Sequence, residues 1–271
     1  NGAATADPND AVFFEFEFQE DSDTFGSVSV SIADGDTMKV FYNRNLVDKI
    51  DEDSKGEWYQ LFQIGFGGIP GKPMGDGPDG HSLWPGFTNV PNEYIEAYFP
   101  LRIELYETIE DSGGPGYNRG GNGIRMAYRF LEDGQISIHD DRWLTYPWGV
   151  NGGLPGARGS KKLVRADGSE ELLASKCDRI VVKQGDLLYF NTWGGGGAGD
   201  PLIRELERVL ADVNRGLVTI HGAKRYGVVI DEAGEVDNQA TVALRVLMME
   251  GRAENPLFDF GGSIEEIKER C

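Results

Sequence analysis

Residues 193–201 read Trp-Gly-Gly-Gly-Gly-Ala-Gly-Asp-Pro, and the character of the chain changes across them. Before this stretch, short runs of alternating apolar and polar residues predict β-strands; after it, apolar residues recur at helical spacing. Asp200 followed by Pro201 favours a helix start, because Asp caps the first turn and Pro is tolerated there. We therefore predict an α+β fold, with a β-rich, glycine-looped body over residues 1–200 and a smaller C-terminal α/β tail over residues 201–271 packed on it.

The individual elements follow from these periodicities and from the turn residues between them. Strands are predicted at Val12–Phe18, Ser27–Ile32, Met38–Tyr42, Trp58–Phe66, Leu101–Tyr106, Arg179–Lys183, Asp186–Asn191 and Gly227–Ile230. Helices are predicted at Asn92–Ala97, from Pro201 to Val213 with Gly216 as terminator, at Ile220–Arg225 and at Ala240–Met249. Arg125–Leu131 and Gln135–His139 flank Glu132-Asp-Gly134, which predicts a β-hairpin.

Glycine is the most unusual feature of the composition. The chain contains 38 glycines without a Gly-X-Y period, so a collagen-like chain is excluded and we interpret them as tight turns between short strands. Gly67–Pro91 is a long irregular segment rich in Gly and Pro. Loops of this length usually bind a ligand or pack against a partner, which is what we expect here.

The charge balance limits the classes of partner. With 45 acidic and 26 basic side chains, the formal net charge is −19, and such a field disfavours nucleic acids and membrane surfaces. Only Cys177 and Cys271 are present, which predicts no disulfide framework and a reducing, cytoplasmic location. The chain begins with Asn1 rather than Met, so we expect that a preceding stretch has been removed or is absent.

Residues 111–123, Asp-Ser-Gly-Gly-Pro-Gly-Tyr-Asn-Arg-Gly-Gly-Asn-Gly, are the strongest candidate for a site. Asp111-Ser112-Gly-Gly-Pro resembles the nucleophile string of chymotrypsin-like proteases, but His81, in Asp-Gly-His-Ser, lacks the context of a catalytic histidine, so we reject a protease. Arg119 leaves two alternatives open. Either its guanidinium is held over backbone carbonyls between two tight turns, or it clamps an anion together with glycine amides.

Two further motifs carry alternatives of the same kind. The glycines after Trp193 either line and pack a pocket or approach a phosphate at a helix N-terminus, although neither a Walker A nor a dinucleotide motif is present. His139-Asp140-Asp141 is interpreted as a solvated turn, with metal ligation as the alternative. His81 and His221 are interpreted as surface residues, and we assign no metal ligand to this chain.

Four pieces of the sequence, in order, resemble the C-terminal half of the hydantoinase B/5-oxoprolinase family, which also occurs in acetone and acetophenone carboxylases. The pieces are Gly71-Lys-Pro-Met-Gly-Asp-Gly-Pro-Asp-Gly80 with Asn89-Val-Pro91, Glu93 and Tyr98-Phe-Pro100; Asp111–Gly116 with Arg119-Gly-Gly121 and Gly123; Asp141-Arg142 with Pro147-Trp-Gly149 and Gly152–Gly156; and Gly194–Pro201 with Val209, Asp212-Val213, Gly216-Leu-Val218, Ala223 and Tyr226–Val229.

The resemblance implies an enzyme that works as a complex and is inactive as this chain alone. It implies a hydantoinase A-like partner that binds ATP with Mg or Mn, phosphorylation of the enol or lactam oxygen, and no biotin. It also implies that the N-terminal half of hydantoinase B lies on another chain, either a separate subunit or the other piece of a nicked chain. A divalent metal such as zinc, where the complex holds one, is expected there. A split subunit favours an acetophenone carboxylase-like ketone carboxylase over a cyclic amide hydrolase, with a non-catalytic assembly subunit as the third alternative.

Catalytic residues are not assigned. As residues that line the pocket for the small-molecule substrate we select Asp111, Ser112, Arg119, Trp193, Gly194, Gly195 and Gly196.

Overall fold

Antiparallel β-sheets dominate the part of the chain that is described, residues 36–40, 61–81, 89–252 and 256–268 of a computed structural model. All of these residues belong to one compact unit. The predicted α+β, β-rich fold is confirmed. The strands predicted at Val12–Phe18 and Ser27–Ile32 lie outside the described residues, and the division at residue 200 stays a prediction.

The first sheet has four strands in the order β2-β1-β5-β9, all antiparallel. Its strands are β1 (Asp36–Val40), β2 (Phe62–Gly65), β5 (Gly134–His139) and β9 (Lys176–Val182). Ile136 and Ile138, two residues apart on β5, are fully buried, as expected for one face of a strand that lies on a core.

The second sheet has five strands in the order β3-β4-β10-β7-β8, again antiparallel. Its strands are β3 (Leu101–Thr108), β4 (Ile124–Phe130), β7 (Ser160–Val164), β8 (Glu170–Leu172) and β10 (Leu187–Asn191). The two sheets meet where Gly65 of β2 packs against the ring of Phe190 on β10. A side chain at position 65 would collide with that ring. A separate ribbon pairs β6 (Gly149–Val150) with β11 (Phe258–Asp259).

The predicted hairpin of β4 and β5 is wrong. The two strands lie in different sheets, because β4 pairs with β3 and β10 whereas β5 pairs with β1 and β9. The connection crosses between sheets beside the β9–β10 connection. Asp133 joins the two crossings: its carboxylate accepts a hydrogen bond from Gln184 N at 2.9 Å and pairs with Lys183 Nζ at 2.7 Å. The Asp-Gly sequence therefore lies in a connection between two sheets and not in a hairpin turn.

Four irregular segments, residues 67–80, 112–123, 147–157 and 193–198, form what we call the glycine bundle. The segment 193–198 lies at its centre. A Cβ atom at Gly194 or Gly197 would collide with the backbone of residues 112–115, at Gly195 with Ile69, and at Gly196 with Trp148. The neighbours thus repeat every three residues, the period of a polyproline II-type helix.

Backbone hydrogen bonds hold the glycine bundle together. Gly195 N donates to Gly121 O at 2.8 Å, and Gly195 O accepts from Gly114 N at 2.8 Å. Gly71 N donates to Gly196 O and Gly197 N to Leu154 O, so neighbouring segments satisfy each other's polar groups without forming a regular sheet.

The interpretation of the glycines as tight turns is wrong for Gly194–Gly197 at the centre of the bundle. Gly194–Gly197 are absent from the described glycines with positive φ, so they are not left-handed turn residues. They are required because backbones approach too closely for a side chain. The long irregular segment Gly67–Pro91 was expected to bind a ligand or a partner. Its residues 67–80 instead pack against glycine segments of this same chain.

The remaining elements are short. Helix α1 spans Asn92–Tyr98, α2 Leu206–Asn214, α3 Asn238–Glu250 and α4 Ile264–Lys268, with 3-10 turns at Pro201–Ile203 and Gly222–Tyr226. The helix predicted at Ala240–Met249 is confirmed as α3, capped by Asp237, which accepts from Ala240 N. None of the helices in the described residues has the length and apolar character that a membrane crossing requires.

Two predictions for residues after 200 need correction. The helix predicted from Pro201 to Val213 is interrupted, because Arg204 and Glu205 are extended and α2 begins only at Leu206. The interruption turns Arg204 into the interior, where it is 1% exposed. Within Gly227–Ile230, Val228 is buried in a small core with Val209 and Tyr226. The segment forms only an isolated bridge, Ile230–Val236, instead of the predicted strand.

Candidate functional site

Asp111, the first predicted site residue, fixes a loop to the edge of the glycine bundle. Its backbone has φ +60°, and its carboxylate accepts hydrogen bonds from Thr219 N at 3.0 Å and from Thr219 Oγ1 at 2.5 Å. Arg225 Nη1 donates to the Asp111 carbonyl at 3.1 Å. These contacts attach the segment before the Gly222–Tyr226 turn to the bundle.

The hydroxyl of Ser112 is used inside the fold. It donates to Ile109 O at 2.6 Å and accepts from Gly123 N at 2.9 Å. The residue is 3% exposed. In a chymotrypsin-like protease a histidine lies within hydrogen-bond reach of the serine, whereas the partners of the Ser112 hydroxyl are Ile109, Asn122 and Gly123.

Arg119 is buried, and its guanidinium contacts two carboxylates and a carbonyl. Nη1 lies 2.9 Å from Asp79 Oδ1 and donates to Gly120 O at 2.8 Å. Nε lies 3.7 Å from Asp212 Oδ2. The contact with Gly120 O agrees with the alternative in which the guanidinium is held over backbone carbonyls. The two carboxylates are further partners that the sequence did not predict. The role of Arg119 in substrate binding stays a prediction.

Trp193 and the glycines that follow it lie between the other segments of the bundle. The Trp193 ring packs against Gly67, and Gly194, Gly195 and Gly196 are buried against neighbouring backbones. Neighbouring backbones leave no room for a phosphate beside these glycines, which was the other alternative for this segment. At the following turn, Asp200 already accepts from Leu202 N at 2.9 Å and from Arg252 Nη1 at 2.9 Å. The structure therefore brings Ser112 and the three glycines together, with Asp111 at the edge.

Arg119 belongs to a group of charged residues whose other members were not predicted as site residues. Asp76 lies at its centre: Arg204 Nη1 and Nη2 donate to its two oxygens at 2.7 and 2.8 Å. Arg204 Nη2 also donates to Asp212 Oδ2 at 2.7 Å, and Arg208 Nη2 to Asp76 Oδ1 at 2.8 Å. We call this group, with Arg119 and its partner Asp79, the Asp76 cluster.

The Asp76 cluster attaches residues after 200 to the glycine bundle. Three arginines face three aspartates, so the formal charges balance and the buried arginines are paired. Arg119 N donates to Asp76 Oδ1 at 2.7 Å, which connects the cluster to the bundle backbone. A signal for Asp76 existed in its position inside the glycine-rich motif 71–80. Arg204 gave no signal, because its segment has helical spacing.

The electrostatics of Asp76 follow from these contacts. Burial alone raises the pKa of Asp76. Hydrogen bonds and positive charge from Arg204, with Arg119 N and Arg208, outweigh burial and lower the pKa from 3.8 to about 2. Burial disfavours the charged form of Arg204 as well and so lowers its pKa. The carboxylates of Asp76 and Asp212 outweigh burial and raise the pKa above the ordinary arginine value. The arginine and the carboxylate are therefore both charged at neutral pH.

This shift predicts an acid dependence of stability. Because the folded pKa is lowered, ionised Asp76 stabilises the fold above pH 3.8, and the contribution of about 2 kcal/mol is lost as the pH falls towards about 2. Urea unfolding between pH 6 and pH 2.5 should therefore show a shallower dependence in the Asp76→Asn variant than in the wild type. Equal slopes in the two proteins would show that Asp76 does not carry the effect.

The histidines do not converge on one another. His81 and His221 are exposed, as predicted, and His139 Nε2 lies 2.9 Å from Asp178 Oδ1. The solvated-turn interpretation is wrong for Asp140, which is 1% exposed and forms an ion pair with the buried Lys161. Burial raises the pKa of the Asp140 carboxyl. Among the described residues, no group of three or more His, Cys, Asp or Glu is arranged to hold a metal ion.

Comparison with known proteins adds a family relationship. Residues 29–201, more than half of the chain, match the sequence model of the family described as hydantoinase B/oxoprolinase. The hydantoinase B-type subunit of a putative D-/L-hydantoinase from Pseudomonas sp. strain NS671 is 35% identical over 191 residues, which are 69% of this chain and 32% of that protein.

Two solved structures share the fold. The ATP-dependent caprolactamase from Pseudomonas jessenii is 28% identical with a TM-score of 0.59, over 79% of this chain and 37% of that chain. An acetone carboxylase, solved without nucleotide, has a TM-score of 0.61 at 19% identity, over 80% of this chain and 33% of that chain, and at that identity the likeness concerns the fold alone. This chain thus spans about a third of the length of each of these three proteins.

Proposed function

The chain belongs to the hydantoinase B/oxoprolinase family, and on that premise we propose that it is a subunit of an ATP-dependent complex that opens cyclic amides. The observation that carries the proposal is the 35% identity to a putative hydantoinase subunit over 69% of this chain. The similarity to an ATP-dependent caprolactamase at 28% identity supports the same substrate class, since hydantoins and caprolactam are both ring amides.

ATP is proposed to bind a hydantoinase A-like partner together with Mg or Mn. Neither the glycine segment 194–197 nor the Asp76 cluster is suited to hold a nucleotide. The backbone of the Gly194–Gly197 segment is enclosed by neighbouring segments, and the carboxylates of the Asp76 cluster are paired with arginines. We therefore assign no step of ATP chemistry, and no metal ligand, to these residues.

The contribution of this chain is proposed to be a rigid wall that holds substrate-facing loops. Backbones in direct contact cannot shift independently, because close-packed interiors resist deformation. The Asp76 cluster extends this rigidity to α2 through Arg208 and Asp212. The short turn from Lys72 to Gly75 projects from the bundle, with Met74 at 98% exposure. Such a turn is suited to contact a neighbouring chain.

Carboxylation of a ketone is the second candidate. The observation in its favour is the fold shared with acetone carboxylase, at a TM-score of 0.61 over 80% of this chain. The identity to that protein is 19%, lower than the identities to the hydantoinase subunit and the caprolactamase, so we place the cyclic amide first. A subunit with an assembly role alone is the remaining alternative.

The test is substrate-stimulated ATP hydrolysis by the purified complex that contains this chain. We expect ADP release to rise with a cyclic amide, such as hydantoin, caprolactam or 5-oxoproline, and to be independent of bicarbonate. Stimulation that requires both a ketone and bicarbonate would replace the first candidate with the second. No stimulation by either class would contradict both, with the complex in the absence of substrate as the control.

A further inference from the structure

Tyr146 and Arg158 flank the third segment of the glycine bundle, residues 147–157, and their side chains meet beside it. The Arg158 guanidinium lies over the Tyr146 ring, with 4.4 Å between Cζ and the ring centroid. Arg158 Nη1 donates to Leu144 O at 3.2 Å, and the side chain is 8% exposed. An aromatic ring and a backbone carbonyl therefore hold this guanidinium in one orientation.

A carboxylate of the same chain lies against this pair. Arg158 Nη2 lies 3.3 Å from Glu266 Oε1, and the Tyr146 hydroxyl donates to the same oxygen. A guanidinium and a phenolic hydroxyl that converge on one oxygen are donors suited to a carboxylate. The two residues thus supply the donors of a carboxylate site, and Glu266 of α4 fills it.

The donors do not depend on Glu266 for their position. The contacts of Arg158 with the Tyr146 ring and with Leu144 O belong to residues 144–158, so they are retained when the carboxylate leaves. The net charge of −19 opposes the binding of anions in general. Salt screens charges beyond roughly 10 Å, however, whereas the guanidinium is in direct contact with its ligand. The emptied site would therefore still attract a carboxylate.

Two glycines permit the approach of Glu266. A Cβ at Gly262 would collide with the Glu266 carboxylate, and a Cβ at Gly261, where φ is +83°, would collide with the Tyr146 ring. The chain therefore has no side chains at the two positions where they would keep α4 away from the donors.

The attachment of Glu266 is weak enough for another carboxylate to compete with it. Helix α4 has five residues and none of them is buried. The Glu266 side chain is 42% exposed, and solvent screens ion pairs of this kind. Short elements with little burial also open locally at low cost in free energy.

We propose that Arg158 and Tyr146 form a binding site for a small carboxylate, which Glu266 occupies as an internal ligand. Opening of a cyclic amide produces such a group: the oxygen of water bonds to the carbonyl carbon, the ring C–N bond breaks, and the nitrogen takes up a proton. The ring-opened product then carries a carboxylate. Naming that product as the ligand rests on the proposed function, whereas the affinity for carboxylates does not.

The test is a titration of the isolated full chain with isotope-labelled acetate, followed by NMR. The Glu266→Ala variant should bind acetate at least about tenfold more tightly than the wild type, because an internal ligand that leaves the site open for about a tenth of the time lowers the apparent affinity tenfold. The matched control is Glu265→Ala, which removes an exposed carboxylate of the same helix and should bind acetate as the wild type does. Adding Arg158→Gln to Glu266→Ala should abolish the binding, and chloride at the same concentration should not compete.

Equal acetate affinity in the wild type and Glu266→Ala would overturn the proposal. Acetate binding that survives the loss of Arg158, or that chloride displaces as well as a carboxylate does, would overturn it too. N-carbamoylglycine, the ring-opened form of hydantoin, should displace acetate from Glu266→Ala, and failure to do so would refute the product as the ligand. A complex in which no cyclic amide stimulates ATP hydrolysis would refute the proposed function and leave the acetate result unaffected.

Discussion

Replacing Gly194 by alanine is expected to lower the free energy of unfolding by about 3 kcal/mol or more, the upper part of the range for overpacking a close-packed interior. A Cβ at this position would lie closer than 3.0 Å to both the carbonyl oxygen and the carbonyl carbon of Ser112. Neither atom belongs to a flexible side chain, so backbone must shift. Gly195 and Gly196 touch the backbones of two other segments, at Ile69 and Trp148, and Gly197 touches Pro115, so the segment resists that shift.

Urea denaturation of Gly194→Ala beside Gly75→Ala measures this effect. Gly75 belongs to the same glycine-rich part of the chain, but a Cβ there meets no atom within 4 Å. We expect the control to change the free energy of unfolding by less than about 0.5 kcal/mol, as for an ordinary surface substitution. Similar effects of the two substitutions would show that backbone contact does not explain the glycines at the centre of the bundle.

Arg204→Ala is expected to cost about 3–5 kcal/mol of folding stability, the range for removing one partner of a buried ion pair. Among the ion pairs of the described residues, the substitution leaves Asp212, whose side chain is 6% exposed, with the longer contact to Arg119 at 3.7 Å. Asp76 loses its two-oxygen contact in the same step. Residues after 200 would lose their main charged attachment to the glycine bundle.

The control for this substitution is an exposed ion pair. Arg102 lies 2.7 Å from Glu104, with 59% and 28% of the two side chains exposed. Arg102→Ala should cost less than about 1 kcal/mol, because solvent screens exposed pairs. If thermal and urea unfolding find equal costs for the two arginine substitutions, the Asp76 cluster is no more important than a surface pair.

The elements that the sequence predicted correctly are those whose signals are local. Asp200 before the 3-10 turn caps as predicted, and α3 forms over the stretch where helical spacing predicted a helix. Gly216 has φ +69° just after α2, as a helix-terminating glycine should. Each signal depends on a few neighbouring residues, so no knowledge of the sheet order is required.

The wrong predictions depended on contacts distant in sequence. Glu132-Asp-Gly134 has the composition of a hairpin turn, but pairing of β4 with β10 and of β5 with β9 places the two strands in separate sheets. The helix predicted from Pro201 is interrupted where Arg204 reaches Asp76, 128 residues earlier. Local periodicity contains no information about such partners.

The candidate site shows the same limit. The glycine-rich motifs were identified from the sequence, and Ser112 does meet Gly194. The reason for the glycines was missed, because mutual contact of four segments is a property of the folded chain. Asp76 and Asp212 lie in motifs that the family resemblance marks, yet their shared arginine could be found only in the structure.

ATP hydrolysis in three preparations tests the proposal that this chain acts as one part of an ATP-dependent complex. We expect the complete complex to hydrolyse ATP when a cyclic amide is present, and the isolated chain to stay at the rate of a heat-inactivated control. The partners without this chain should lose at least about tenfold of the substrate-stimulated rate, equivalent to about 1.4 kcal/mol of activation free energy. Full substrate-stimulated hydrolysis by the partners alone, or by this chain alone, would contradict the claim.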